Sequence, residues 1–327
     1  MSRSSSIDHL RAPVEDELKK FEQMFRGSLT SSVGLLNIIT RYILRQKGKR
    51  VRPLLVLLSS KACGRITDRT FRGAALVETL HTATLVHDDV VDDADTRRGL
   101  ASINAVWKNK VAVLLGDYLL AKGLLLSLEH NDYDFLHITS TAVRRMSEGE
   151  LLQIQKSRQL DLTEETYLQI IGDKTASLLS TCAEVGARSA VDDPELHERF
   201  RLFGENAGLA FQIRDDVLDY LGRSAILGKP TGLDIKEKKL TLPLIRALEV
   251  GERKEATRAL RMVRKGATSR EISWIISFVE ASGGIQYAEE RAAAYADAAR
   301  TSIQPLPPSD AKEALIQFVT FVQQRTS

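Results

Sequence analysis

The chain has 327 residues, 43% apolar and 27% charged, a composition that fits a globular protein with a sizeable core and excludes a low-complexity chain. A net charge of +3 is too small to argue for nucleic acid, and Cys63 and Cys182, isolated in apolar helical contexts, give no disulfide framework, so a reducing compartment is the default. No apolar run reads as long enough to cross a bilayer, and the basic, Ser-rich residues 1–6 lack the apolar centre of a signal, so they read as a disordered tail and the protein as cytoplasmic.

Helical periodicity starts at once. Ile7, Leu10, Val14, Leu18, Phe21 and Phe25 recur at spacings of three and four, the stripe of an amphipathic helix. Further stripes predict helices over 32–46, 52–63, 70–93, 104–128, 134–156, 164–189, 195–221, 240–250, 254–265, 270–282, 285–302 and 309–325. Breaks fall at Gly64, Gly99, Asn131-Asp132, Asp192-Asp193-Pro194 and Leu306-Pro307-Pro308, where turn chemistry places them. Strand alternation is essentially absent. One all-α domain over 1–327, a large helix bundle, is the economical expectation.

Two segments carry the pattern DDxxD: Asp88-Asp89-Val90-Val91-Asp92 and Asp215-Asp216-Val217-Leu218-Asp219. On a helix the first and fifth positions share a face one turn apart, and three carboxylates beside apolar residues are costly unless cations neutralise them. Two such clusters suit hard divalent metal shared with phosphate oxygens. Arg97 and Arg98 follow the first cluster with fork-shaped donors for phosphate, or simply cap or pair with Asp93 and Asp95. Gly48-Lys49-Arg50-Val51-Arg52-Pro53 opens an apolar helix whose N-terminus favours anions. His81 lies two turns before Asp88, either a core histidine or part of the site. Lys174-Thr175-Ala176 sits in an apolar stretch where Lys needs an anionic partner, and Gln212 points roughly with Asp215. The Gly-rich loop 222–234, with its single Lys229, reads as a surface loop or a phosphate-contacting lid. Lys239-Leu240-Thr241-Leu242-Pro243 opens the next helix.

Read together, GKRVRP, HTATLVHDDVVDDADTRRG, GDKTA, FQIRDDVLD, GKPTGLD and KLTLP resemble, in order and spacing, the trans-polyprenyl diphosphate synthases. The resemblance covers nearly the whole chain. It implies the all-α isoprenoid synthase fold around a deep central cavity, and a metal site of Mg²⁺ ions, three by family pattern, on Asp88, Asp89, Asp92, Asp215, Asp216 and Asp219. It places Lys49, Arg52, His81 and Arg98 at the homoallylic diphosphate, and Arg97, Lys174, Lys229 and Lys239 at the allylic one. Thr175 and Gln212 would line the reacting centre. The chain departs from the family in Glu237-Lys238-Lys239, where Gly often stands between Glu and Lys. Lys239 keeps its spacing to Thr241 and is preferred over Lys238.

The implied reaction ionises an allylic diphosphate, adds isopentenyl diphosphate to the cation and loses a proton, in a dry apolar cavity. Product length would be set below the first motif, at Leu80, Ala83 and Thr84. None is aromatic, and Ala83 leaves open a floor that short-chain members close with a bulky ring. The expectation is a hexaprenyl-to-decaprenyl product, octaprenyl-like, of the kind found in quinone side chains, made by a homodimer without stable membrane insertion. The alternatives are a shorter-chain farnesyl or geranylgeranyl synthase, a subunit of a heteromeric synthase (against which two intact acidic motifs argue) and a terpene cyclase.

Overall fold

The helical period becomes sixteen α-helices among the described residues of the computed structural model, which are 4–45, 50–97, 99–221 and 232–324. The chain groups into two compact units. One takes residues 1–140, 181–200 and 306–315, the other 141–180, 201–305 and 316–327.

The first unit begins with α1 (Ser4–Arg11), which starts inside the stretch expected to be a tail. The predicted first helix is broken: a turn at Ala12–Val14, where Pro13 removes a backbone donor, separates α1 from α2 (Glu15–Ser28). α3 (Gly34–Arg45), α4 (Val51–Cys63), α5 (Asp68–Val91) and α6 (Ile103–Glu129) follow. α4 is apolar nearly all round, with Leu54 to Leu58 at most 3% exposed, as expected of a helix enclosed by others. α5 starts at a capping box in which Thr67 and Thr70 exchange side-chain and backbone hydrogen bonds.

Two features depart from the sequence reading. Thr96–Arg97 and Leu100–Ala101 pair as an antiparallel hairpin, too short to carry an alternation signal. α6 also proves apolar and long enough to cross a membrane by length and composition, with a mean hydropathy of 1.8, although no such run was expected. Its buried side, with Leu115, Leu119 and Gly123, lies on α5. Its other side exposes Val106, Val113, Leu114, Leu124, Leu125 and Leu128.

In the second unit, the later part of α7 (Tyr133–Gln159) leads to α8 (Glu164–Ile171), a widened π-turn at Gly172–Ala176, and the start of α9 (Ser177–Ala190). The turn is closed by Ser177 N–H donating to Gly172 O, so one extra residue is accommodated where the sequence reading expected an uninterrupted helix over 164–189. α10 (Pro194–Tyr220) enters this unit at Arg201. After α11 (Leu233–Lys236), α12 (Leu242–Val250) packs against α8, α13 (Arg253–Lys265), α14 (Ser269–Ala281) and α15 (Gly284–Ile303). Leu242, Leu244, Ile245, Val263, Ile275 and Val279 form that core. α16 (Asp310–Gln324) closes the chain.

Candidate active site

Each acidic motif ends a long helix. α5 stops at Val91, so Asp88 and Asp89 occupy its last turn and Asp92 is the cap, its N–H donating to Asp88 O at 2.8 Å. The motif was expected to lie wholly inside a helix running to 93; instead Asp93 takes a left-handed conformation (φ 47°). A run of aspartates at the negative end of the helix dipole opposes further helix and raises the cost of their charge. Asp215, Asp216 and Asp219 likewise lie in the last two turns of α10. Cations are what such ends accept.

In the first unit Asp89 is 2% exposed. Burial pushes its carboxyl up, opposed by Arg97, whose Nε donates to Asp89 Oδ1 at 2.5 Å. The hairpin supplies Arg97, and Asn104 of α6 donates to the Asp89 carbonyl at 3.1 Å. Asp88 is half-buried and Asp92 exposed. A small pocket beside this pair is lined by Arg50, Glu78, His81, Asp89 and Arg97. His81 is buried there, and Arg52 sits half-buried in the first turn of α4. Arg50 and Glu78, which the sequence reading missed, form a close ion pair under the pocket, and Arg50 also lies 5.8 Å over the Phe25 ring. The signal was available: Glu78 is the one acidic residue in the stretch Ala74–His87. Of the residues expected to set chain length, Ala83 is fully buried and Leu80 nearly so, while Thr84 is half-buried and donates to His81 O at 2.9 Å. A Cβ on Gly123 of α6 would lie 3.5 Å from Leu80, so the two helices meet closely there.

In the second unit one pocket brings together Lys174, Thr175, Gln212, Asp216 and Lys239. The π-turn carries the first two, α10 the next two, and the segment after α11 the last. Asp216 is buried with both oxygens engaged: Tyr167 of α8 donates to Oδ2 and Gln212 to Oδ1, each at 2.7 Å. Thr175 donates on to Gln212 Oε1 at 3.0 Å. Burial pushes the Asp216 carboxyl up to about 8, with Asp234 adding to the rise, and pushes Asp234 up to about 6. Asp219 accepts the backbone N–H groups of Leu233 and Asp234 at 3.1 Å each, which anchors the chain after the loop. Asp215 is exposed. Lys174 pairs with Glu150 at 2.5 Å and Gln153 at 3.0 Å, and Lys239 with Glu237 at 2.6 Å. Tyr167, Gln153 and Asp234 also line this pocket, and Glu150 pairs with Lys174; none of the four was assigned from the sequence. Lys49, Arg98 and Lys229 lie outside the described residues.

The donor set fits a hard cation. Among the described residues no three carboxylate, His or Cys ligands gather into a preassembled metal cage. Mg²⁺ asks for less, one or two carboxylates with water and substrate phosphate completing its shell. Asp216 and Asp219 each accept protein hydrogen bonds on both carboxylate oxygens, while Asp89 accepts from Arg97 on Oδ1.

The profile of the family described as Polyprenyl synthetase matches residues 33–279. The chain is 38% identical over 317 residues to an all-trans-nonaprenyl-diphosphate synthase (geranyl-diphosphate specific) of Rhodobacter capsulatus, covering 96% of each. It is 36% identical to the octaprenyl diphosphate synthase of Escherichia coli K12, over 91% of this chain and 92% of that one. Among solved structures, a polyprenyl synthase from Caulobacter crescentus CB15, complexed with calcium and isoprenyl diphosphate, superimposes with a TM-score of 0.89 at 35% identity over 98% of both chains. With the pocket of lysines, Thr175 and Gln212 beside an acidic motif, these likenesses place the chain in the polyprenyl synthetase family, as a prenyltransferase of the all-α isoprenoid synthase fold.

Proposed function

We propose that this enzyme extends an allylic diphosphate with successive isopentenyl diphosphate units to an all-trans product of hexaprenyl-to-decaprenyl length, octaprenyl-like, for quinone side chains. The observation that carries this reading is the single pocket holding Lys174, Lys239, Thr175, Gln212 and Asp216. Two cations beside hydrogen-bonding side chains suit a leaving diphosphate, whose charge grows as its bond to carbon breaks. In the free protein each lysine rests on a carboxylate, Glu150 or Glu237, and the diphosphate would replace that partner.

Asp88, Asp89 and Asp92 of the first motif and Asp215, Asp216 and Asp219 of the second would hold Mg²⁺. When bound, Mg²⁺ neutralises diphosphate charge and promotes its departure. Thr175 and Gln212 would border the allylic cation, with the apolar residues around them excluding water. Arg52 and His81, with Lys49 and Arg98, would bind isopentenyl diphosphate and keep it ionised. The proton lost after each addition is assigned to the departing diphosphate. Ala83, with no bulk beyond its methyl group, supports elongation past the short-chain products.

The exposed apolar side of α6 supports a homodimer, in which a second copy covers Leu114, Leu124, Leu125 and Leu128 instead of lipid, and the enzyme works in the cytoplasm. Steady-state kinetics tests the pocket. Lys174→Ala and Lys239→Ala are expected to raise the KM for farnesyl diphosphate about tenfold or more while leaving that for isopentenyl diphosphate within about twofold. An unchanged farnesyl diphosphate KM in both variants would contradict the assignment.

A further inference from the structure

The π-turn that presents Lys174 and Thr175 is braced from two helices by one side chain. Arg145 of α7 donates from Nε to Asp173 Oδ1 at 2.7 Å, and through its two terminal nitrogens to both oxygens of Glu205 on α10, at 2.8 and 3.2 Å. The three side chains are 17% to 28% exposed, so water competes less for these pairs than for surface ones. One helical turn beyond Arg145, Gly149 admits the turn itself. A Cβ there would lie 2.9 Å from Asp173 Cβ and 3.2 Å from the Lys174 nitrogen. Gln153 and Glu150 on the same stretch of α7 hold Lys174.

A π-turn inserts one residue into a helix, and the insertion can in principle sit one residue earlier or later. Such a slip rotates the side chains between the two positions by about 100°. Lys174 and Thr175 would then no longer face the pocket together. Within the turn, Ser177 donates to Asp173 O at 2.6 Å, which closes it locally but does not tie it to a neighbouring helix. Thr175 ties the turn to Gln212 of α10 and Lys174 ties it to Glu150 and Gln153 of α7, and the fork of Arg145 adds a tie at Asp173, because its planar donors match Glu205 and leave Nε for Asp173.

We propose that Arg145 is a positioning residue for the prenyl transfer: by joining Asp173 to Glu205 it sets the register of the widened turn and aims Lys174 and Thr175 into the pocket. This rests on reading Lys174 as a ligand of the allylic diphosphate. Arg145 does not line the pocket and acts through that lysine.

The test is a double-mutant cycle in the full-length enzyme with Mg²⁺. Arg145→Gln, folded by circular dichroism, is expected to raise the allylic KM and lower kcat by about tenfold each, with the isopentenyl KM within about twofold. Arg145→Lys, which keeps the charge but not the fork, should fall between. Added to Lys174→Ala, Arg145→Gln should change the allylic KM by less than about twofold, since the residue it positions is gone. If Arg145→Gln does not fold, Glu205→Gln, which leaves the Asp173 contact in place, should move the same constants in the same direction by less. Wild-type constants in folded Arg145→Gln, an equal rise for both substrates, or a full loss repeated in the Lys174→Ala background would overturn the inference. A normal allylic KM in Lys174→Ala alone would sink the reading of Lys174 first, and the proposal with it.

Discussion

Tyr167 donates its hydroxyl to Asp216 from 2.7 Å, and both side chains are buried in the core that carries the pocket. Gln212 takes the other oxygen of Asp216 and receives the Thr175 hydroxyl, so α8, the π-turn and α10 are tied by one run of hydrogen bonds. Tyr167→Phe removes one donor without changing shape. It should cost about 1–3 kcal/mol of stability and lower kcat, because Asp216 keeps a buried oxygen with no donor from Tyr167. Urea unfolding and steady-state rates check it; a variant as stable and active as the parent would mean that water replaces the phenol.

The Asp89–Arg97 pair predicts a rescue. Arg97→Met leaves Asp89, 4% exposed in its side chain, without its cation, and should cost about 3 kcal/mol or more. Adding Asp89→Asn removes the stranded charge and should recover much of that stability without recovering activity. Thermal melts of the single and double variants decide the matter, and a double variant no more stable than Arg97→Met would count against it.

Ala83→Phe should shorten the product toward the short-chain range. Ala83 is fully buried, so the ring also strains its surroundings by about 1–3 kcal/mol, and the variant should be assayed below its melting range. Chromatography of the dephosphorylated products reads the result; an unchanged length would remove Ala83 from the floor.

Stability should depend on pH through Glu271, which closes the capping box of α14. Its hydrogen bond to Lys265, and then those to Thr268, hold its carboxyl down to about 2. A lowered folded-state value contributes stability above the ordinary carboxylate range, lost as pH falls from there through about 2. Glu271→Gln should therefore lower the melting temperature at pH 7 and make little difference near the acid end of that window. Melting curves across the range check the sign.

What was legible in the sequence follows a physical line. The helices were legible because their apolar faces recur at helical spacing, and most ends agree to within a few residues. The paired aspartates and Lys174 stood out because charge is costly in apolar helices, and Thr175, Gln212 and Lys239 were assigned by resemblance; the structure brings Lys174, Thr175, Gln212, Asp216 and Lys239 to one pocket. Tyr167, Glu150, Gln153 and Arg145 were not legible, because each reaches the pocket or its brace only through helix packing, and each alone suits an ordinary helix. The π-turn left no mark in the apolar pattern around it. Asp92 was expected inside a helix because its spacing from Asp88 suits one turn, yet the concentration of negative charge ends α5 before it.

The central claim is elongation to medium or long chains by this protein alone. The most direct measurement is to incubate the purified chain with Mg²⁺, farnesyl diphosphate and labelled isopentenyl diphosphate, then resolve the dephosphorylated products by length. The account predicts a distribution ending between hexaprenyl and decaprenyl, abolished by EDTA and restored by Mg²⁺. Products stopping at geranylgeranyl, or no elongation by the chain on its own, would contradict it.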